Sequence, residues 1–295
     1  MYAVLAPLVG ALATAANVVN SQLTGRINPL LAIVVIHVVG LVAVSAILAA
    51  ARPKPGSAER LPLYLYAAGV IGVGTVFTST AAFSALGASL AVALALIGQT
   101  VFSVAADATG FLGRPLHALT PRRAPGIGLA VIGAAVMAEN WRVEAFPMLL
   151  AFTSGVLPGL SSVLNAELAR KKGLLRSTWM NYVTGLSTIL VVAAVARAPF
   201  ATLRTVASIP PLLLTGGLMG VGVVAGMSLT FSRLSAFTAT LLVSAGQVAA
   251  GLASDAVTRG AFDMRKLVGM LVLLAGLTLD TLLCTPRRKA AGVVH

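Results

Sequence analysis

The chain has 295 residues, 58% of them hydrophobic and 10% charged, with mean hydropathy +0.96 and net charge +13. A soluble domain carries about a quarter charged residues, so that class is excluded. Cys284 is the single cysteine, which excludes an intrachain disulfide and a cysteine metal cluster.

Ten apolar runs are predicted as helices, each of roughly 20 residues and long enough to cross a ~30 Å hydrocarbon core. Alternation on the scale of a membrane barrel is missing. The first run, 2–23, carries Asn17 and Asn20, and begins without a basic segment or small-residue cleavage site. It is expected to be a retained span, not a signal peptide. Run 28–51 has His37 near its middle, and run 62–83 holds Gly69, Gly72 and Gly74. Run 87–107 contains Gln99 and ends on Asp107, and 124–141 closes the first half. After a short link around Trp141, run 146–167 carries Pro158, Asn165 and Glu167, and run 177–196 carries Trp179 and Asn181. Runs 211–231, 237–255 and 267–284 complete the chain, the middle one with Gln247 and Asp255 and the last with Asp280.

The two halves repeat. Gly69 to Asp107 aligns without a gap on Gly217 to Asp255, with 15 identities in 39 positions, including Gly98-Gln99 on Gly246-Gln247 and Asp107 on Asp255. Asn20 matches Asn165 and Gly40 matches Gly185 at an offset of 145, and Arg122 matches Arg265 at 143. The predicted units are 1–141 and 142–295, with five helices each. An odd number makes the second unit enter from the opposite side, as an inverted repeat. With both termini cytoplasmic, inside loops hold 14 of the 21 Lys and Arg residues and outside loops 7. That split fits the positive-inside bias, so the basic charge reads as topology and lipid anchoring, with no nucleic-acid partner.

Polar groups within the runs are the site candidates, because they are expensive in lipid and face a cavity or a partner. Gln99 and Gln247 either line a path across the pseudo-two-fold or bind the repeats together as amide glue. Thr240, Ser244, Gln247, Gly251 and Asp255 form one polar stripe at helical spacing. Asp107 and Asp255 lie at helix C-termini, where the dipole disfavours an anion. Arg122 and Arg265 are their expected partners, as structural ties or as alternating gates. His37 reads first as a neutral, hydrogen-bonded histidine and second as a proton relay. Trp179 and Asn181 suit an organic solute or the core, and Glu167 is expected to pair with Arg170 or Lys171. Pro158 would free a carbonyl one turn earlier and mark a kink beside a cavity.

No phosphate loop of the G-x4-G-K-[ST] type occurs. His37, His117 and His295 lack metal-ligand spacing. Neither a metal, another cofactor nor an enzymatic activity is expected.

The segment Ala85-Leu86-Gly87-(x10)-Gly98-Gln99-(x7)-Asp107-(x2)-Gly110-(x2)-Gly113, with Asn20-x2-Leu23 and Asn165-x2-Leu168, resembles the drug/metabolite transporter superfamily. More narrowly it resembles the YdcZ-like bacterial inner-membrane proteins, over nearly the whole chain. The resemblance implies an all-α membrane protein of ten transmembrane helices in a 5+5 inverted repeat of the EamA-like kind. It implies a secondary transporter of the bacterial inner membrane, as monomer or homodimer, with a lipid bilayer around it. The related small multidrug exporters carry a glutamate in their first helix, where this chain has Asn17 and Asn20 and no acid. The expected substrate-binding set is Gln99, Gln247, Asn17, Asn20, Asn165, Asn181, Trp179 and His37. With two tryptophans and four tyrosines, an aromatic cage for quaternary amines is disfavoured, and a small neutral or zwitterionic organic solute fits better. The alternative is a non-transporting membrane subunit or scaffold.

Overall fold

A computed structural model describes residues 2–53, 61–109, 124–137, 145–234, 236–259 and 264–284. Among these it contains ten α-helices: α1 (Tyr2–Thr24), α2 (Pro29–Ala51), α3 (Ala67–Leu86), α4 (Ala88–Thr109), α5 (Ala124–Met137), α6 (Ala145–Lys172), α7 (Leu174–Val195), α8 (Pro211–Arg233), α9 (Ala236–Arg259) and α10 (Met264–Cys284). Short 3₁₀ turns at Leu63–Tyr66 and Phe200–Ser208 lead into α3 and α8. Seven segments are long and apolar enough to cross a membrane, and the apolar stretches within α4 and α10 are shorter. At 1.5 Å per residue a 23-residue helix such as α2 runs about 34 Å, enough for the hydrocarbon core.

Local chemistry sets the helix ends. Asn28 Oδ1 accepts from the N–H groups of Leu30 (3.0 Å) and Leu31 (3.4 Å), and Pro29 opens α2 where a missing N–H is harmless. Gly87 (φ 77°) and Gly173 (φ 87°) take the left-handed backbone that lets α4 follow α3, and α7 follow α6, within one residue. Arg52 and Arg197, 145 positions apart, adopt the same conformation (φ 41° and 52°) just beyond α2 and α7. This is uncommon for a residue with a Cβ.

Helix contacts recur at the offsets read from the sequence. α1 packs on α8 and α9, and α6 packs on α3 and α4. A Cβ added at Gly10 would stand 1.9 Å from the Val243 carbonyl oxygen, and one at Gly155 would stand 1.7 Å from that of Ala95. Gly98 meets the Phe152 carbonyl oxygen as Gly246 meets that of Pro7, at 2.0 and 1.8 Å on the same measure. Gly69 lies against the backbone of Asn181 and Gly185, as Gly217 lies against that of Ile36 and Gly40. Small residues thus bring backbones into contact where apolar side chains supply little drive for association in lipid. Val4, Leu8, Val42, Val195 and Leu212 are exposed on outer faces, as a hydrocarbon solvent allows.

Candidate functional site

The polar residues of six helices meet around one cavity of about 160 Å³. A cavity of roughly 150 Å³ holds benzene, so this one has room for a small metabolite. Its wall is drawn from α1 to α4 and α6 to α9, whereas α5 and α10 pack on each other. α1 contributes Thr14, Asn17 and Asn20, spaced by three so that they share a face. α2 contributes His37, α3 Thr75 and Ser79, α7 Asn181 and Tyr182, and α9 Gln247. α6 presents Ser154, Pro158, Ser161 and Asn165. Pro158 has no N–H for the Ser154 carbonyl, so the interrupted ladder of α6 faces the cavity, where the loss is tolerated.

The wall is tied together by hydrogen bonds. Asn165 Nδ2 donates to Ser161 Oγ (3.3 Å) and to Asn181 Oδ1 (3.1 Å), and Ser161 Oγ donates to the Ala68 carbonyl (3.0 Å). Ser177 Oγ donates to the Asn165 carbonyl at 3.0 Å, pinning α7 to α6. Ser79 Oγ donates to Asn17 Oδ1 (3.1 Å), and Thr14 Oγ1 donates to the Gln247 carbonyl (3.1 Å). His37 Nδ1 lies 2.9 Å from the Ile33 carbonyl oxygen. A carbonyl can only accept, so Nδ1 holds a proton, and Nε2 is an acceptor whenever the ring is neutral. The ring tilts against Tyr182 at 5.8 Å between centroids, and the Tyr182 hydroxyl donates to the Gly217 carbonyl (3.3 Å).

Three buried side-chain oxygens of the wall, Asn20 Oδ1, Asn165 Oδ1 and Gln247 Oε1, make no hydrogen bond. Asn20 Oδ1 fits against Gly216, where an added Cβ would stand 1.9 Å from it. No Asp, Glu, Lys or Arg occurs among the described residues lining the cavity.

Six of the eight sequence-derived binding residues therefore converge: Asn17, Asn20, His37, Asn165, Asn181 and Gln247. Gln99 is buried one turn beyond Ala95 on α4 but does not reach the wall. Trp179 turns away because its indole N–H donates to Ser45 Oγ of α2 at 3.0 Å. Ser79, Ser161 and Tyr182 were missed. The signal for Ser161 is its position one turn before Asn165, on the same helical face.

One of the gate residues makes a contact at a helix start. Asp255 is buried, and its Oδ2 accepts from the Ser89 backbone N–H at 3.3 Å, in the first turn of α4. Ser89 Oγ donates to the Gly251 carbonyl at 3.3 Å. The carboxylate at the C-terminal end of α9 thus sits at the N-terminus of a neighbour, where that dipole favours an anion. Near the other end of α9, Thr240 Oγ1 meets Ser103 Oγ at 3.3 Å, so much of the α9 stripe faces α4. Arg265 is exposed in the first turn of α10. Arg122 and the side chains of Asp107 and Asp280 lie outside the described residues. Glu167 pairs with Arg170 at 2.6 Å.

The family model DMT_YdcZ, described as "Putative inner membrane exporter, YdcZ", matches residues 1–136 and 146–279. The chain belongs to this family. Membership makes it a multi-pass inner-membrane protein of a transporter family, and its apolar helices fit that setting. No curated protein matches this YdcZ-family chain in sequence. Among solved structures, one crystal structure is similar over 96% of this chain and 97% of its own, with a TM-score of 0.63 at 18% identity. That likeness carries the fold alone.

Proposed function

We propose that this YdcZ-family protein is a secondary transporter that moves a small organic solute across the inner membrane by alternating access about the polar cavity. The observation that carries this reading is the cavity itself. It is polar, lies among eight helices contributed by both halves, and is lined by Asn17, Asn20, His37, Asn165, Asn181 and Gln247. A purely structural bundle gains nothing from leaving amide oxygens unpaired around a space of that size.

In this reading all ten helices span the bilayer as a 5+5 inverted repeat, residues 1–141 and 142–295, with both termini cytoplasmic. The paired glycine contacts support it, since two units related by a pseudo-two-fold can exchange conformations and so open the cavity to each side in turn. Asp255, with Arg265 and the start of α4, serves as the tie at one face, and Asp107 with Arg122 belongs to the other. The description of the family as an exporter favours outward movement.

Gln247→Ala in reconstituted protein tests the reading. Solute flux or ligand-induced stabilisation should fall while the variant stays folded and monodisperse. Normal flux together with lost thermal stability would make the amide structural glue, as a non-transporting scaffold requires.

A further inference from the structure

We infer that the cavity selects a small uncharged solute rich in hydroxyl groups, such as a short polyol. The inference rests on the transport reading above and narrows its substrate.

Two independent features of the wall lead there. The first is charge. With no Asp, Glu, Lys or Arg among the described lining residues, nothing offsets the desolvation of a net-charged solute. His37 has its Nδ1 proton committed to the Ile33 carbonyl and offers Nε2 as an acceptor when the ring is neutral. Moving an ion out of water without a counter-charge is strongly unfavourable. A zwitterion fares little better, since no carboxylate among the described lining residues meets its ammonium group.

The second feature is polarity of the opposite kind to a charge. Asn20 Oδ1, Asn165 Oδ1 and Gln247 Oε1 are all acceptors without a donor, contributed by α1, α6 and α9. Some donors of the wall are already used, namely the Thr14, Ser79 and Ser161 hydroxyls and the Asn165 amide nitrogen, whereas the side-chain nitrogens of Asn17, Asn20, Asn181 and Gln247 line the cavity without an acceptor. The wall therefore offers both acceptors and donors, and hydroxyl groups on the solute, which do both, complement it. The three oxygens are shut from solvent in this conformation. The terminal torsion of an amide side chain is broad, so a modest rotation of Gln247 or Asn20 presents its oxygen to a bound donor. Burying an acceptor unpaired is unfavourable, and a hydroxyl-rich solute relieves that when it binds.

Size sets the last limit. At about 160 Å³ the space is comparable to one that holds benzene. It excludes disaccharides and nucleosides in this conformation and admits a solute of four or five carbons.

Uptake into proteoliposomes of four probes of similar size separates the possibilities: erythritol (neutral donor), free threonine (zwitterion), choline (cation) and threonate (anion). Saturable flux of erythritol at least tenfold above that of the other three is expected. Gln247→Met, which removes the oxygen and keeps the length, should weaken erythritol by about threefold to tenfold, the worth of one neutral hydrogen bond. Gln247→Glu places a carboxylate on the wall and should raise choline relative to erythritol. Flux that favours threonine, choline or threonate in the unaltered protein overturns this inference and leaves transport standing. Flux of no probe through folded, monodisperse protein overturns both. Because the unaltered protein decides, a variant that fails to fold does not blunt the test.

Discussion

Gly155 is where a single methyl group should do the most damage. Its added Cβ would stand 1.7 Å from the Ala95 carbonyl oxygen and 2.6 Å from the carbonyl carbon. Real Cβ contacts essentially never fall below 3.0 Å, so the α4 and α6 backbones must part by roughly 1.3 Å. No side chain can yield instead, because the obstruction is peptide backbone. Overpacking typically costs about 1–3 kcal/mol, and a rigid obstruction places Gly155→Ala at the upper end, near 3 kcal/mol. That corresponds to a fall in melting temperature on the order of 5–10 °C. The displacement also moves Ser154 and Ala95, both on the cavity wall, so transport should fall with stability. Gly74→Ala is the graded comparison, since its Cβ would meet only Leu157 Cδ1 at 3.2 Å, the end of a flexible side chain. Gly128→Ala meets nothing within 4 Å and should leave the melting temperature unchanged or slightly raised. Thermal unfolding of the three purified variants checks the ranking. A Gly155→Ala protein that melts with Gly128→Ala would refute the close-approach argument.

Asp255→Asn should keep near-native stability, because asparagine caps a helix start about as well as aspartate, whereas Asp255→Leu should lose about 1–2 kcal/mol; equal melting temperatures would sink the capping role. Single cysteines in place of Gly56 or Gly292, in a Cys284→Ser background, should react with a membrane-impermeant maleimide only from the cytoplasmic side. Labelling from outside would reverse the proposed orientation. Counterflow should persist without a pH gradient, because no carboxylate is among the described lining residues. Accumulation that requires a pH step and vanishes in His37→Gln would instead assign proton coupling to that histidine.

Much of the arrangement was legible because membrane helices announce themselves twice, by apolar length and by the rarity of what interrupts it. Asn20 and Asn165 stood out as paired amides in lipid-soluble runs, and both reach the cavity. The start of α2 follows from Pro29, at a position where no N–H is missed. What was not legible depends on rotation about a helix axis or on contact between distant segments. Gln99 and Gln247 have the same local sequence, yet only Gln247 reaches the wall, because its helix meets α1 where Thr14 grips the Gln247 carbonyl. Trp179 is one turn from Asn181's neighbours but is captured by Ser45, 134 positions away. The contact of Asp255 with Ser89 was hidden for a further reason. A backbone N–H exists at every residue but proline, so sequence offers no sign that the first turn of α4, freed by Gly87, would be the donor.

The halves agree where they form the scaffold and disagree at many positions where they form the cavity, and the mechanism proposed above accommodates both. Backbone-to-backbone contacts recur in pairs: Gly10 with Gly155, Gly98 with Gly246, Gly69 with Gly217. A bistable pair of units needs those contacts to be nearly equivalent, or one conformation would be far lower in energy than its inverse and the cycle would stall in it. The lining has no such constraint. His37 faces the position of Tyr182, Asn17 that of Ser162, Ile36 that of Asn181 and Ser79 that of Met227. A solute without two-fold symmetry is recognised better by an asymmetric wall than by a duplicated one. Substitutions on the wall therefore change which solute is held while leaving the balance between the two conformations largely to the glycines. Repeat identity kept at the packing glycines and at the Asn20–Asn165 pair, and lost at most other hydroxyl and amide residues around the cavity, is the pattern that this division of labour leaves in a duplicated sequence.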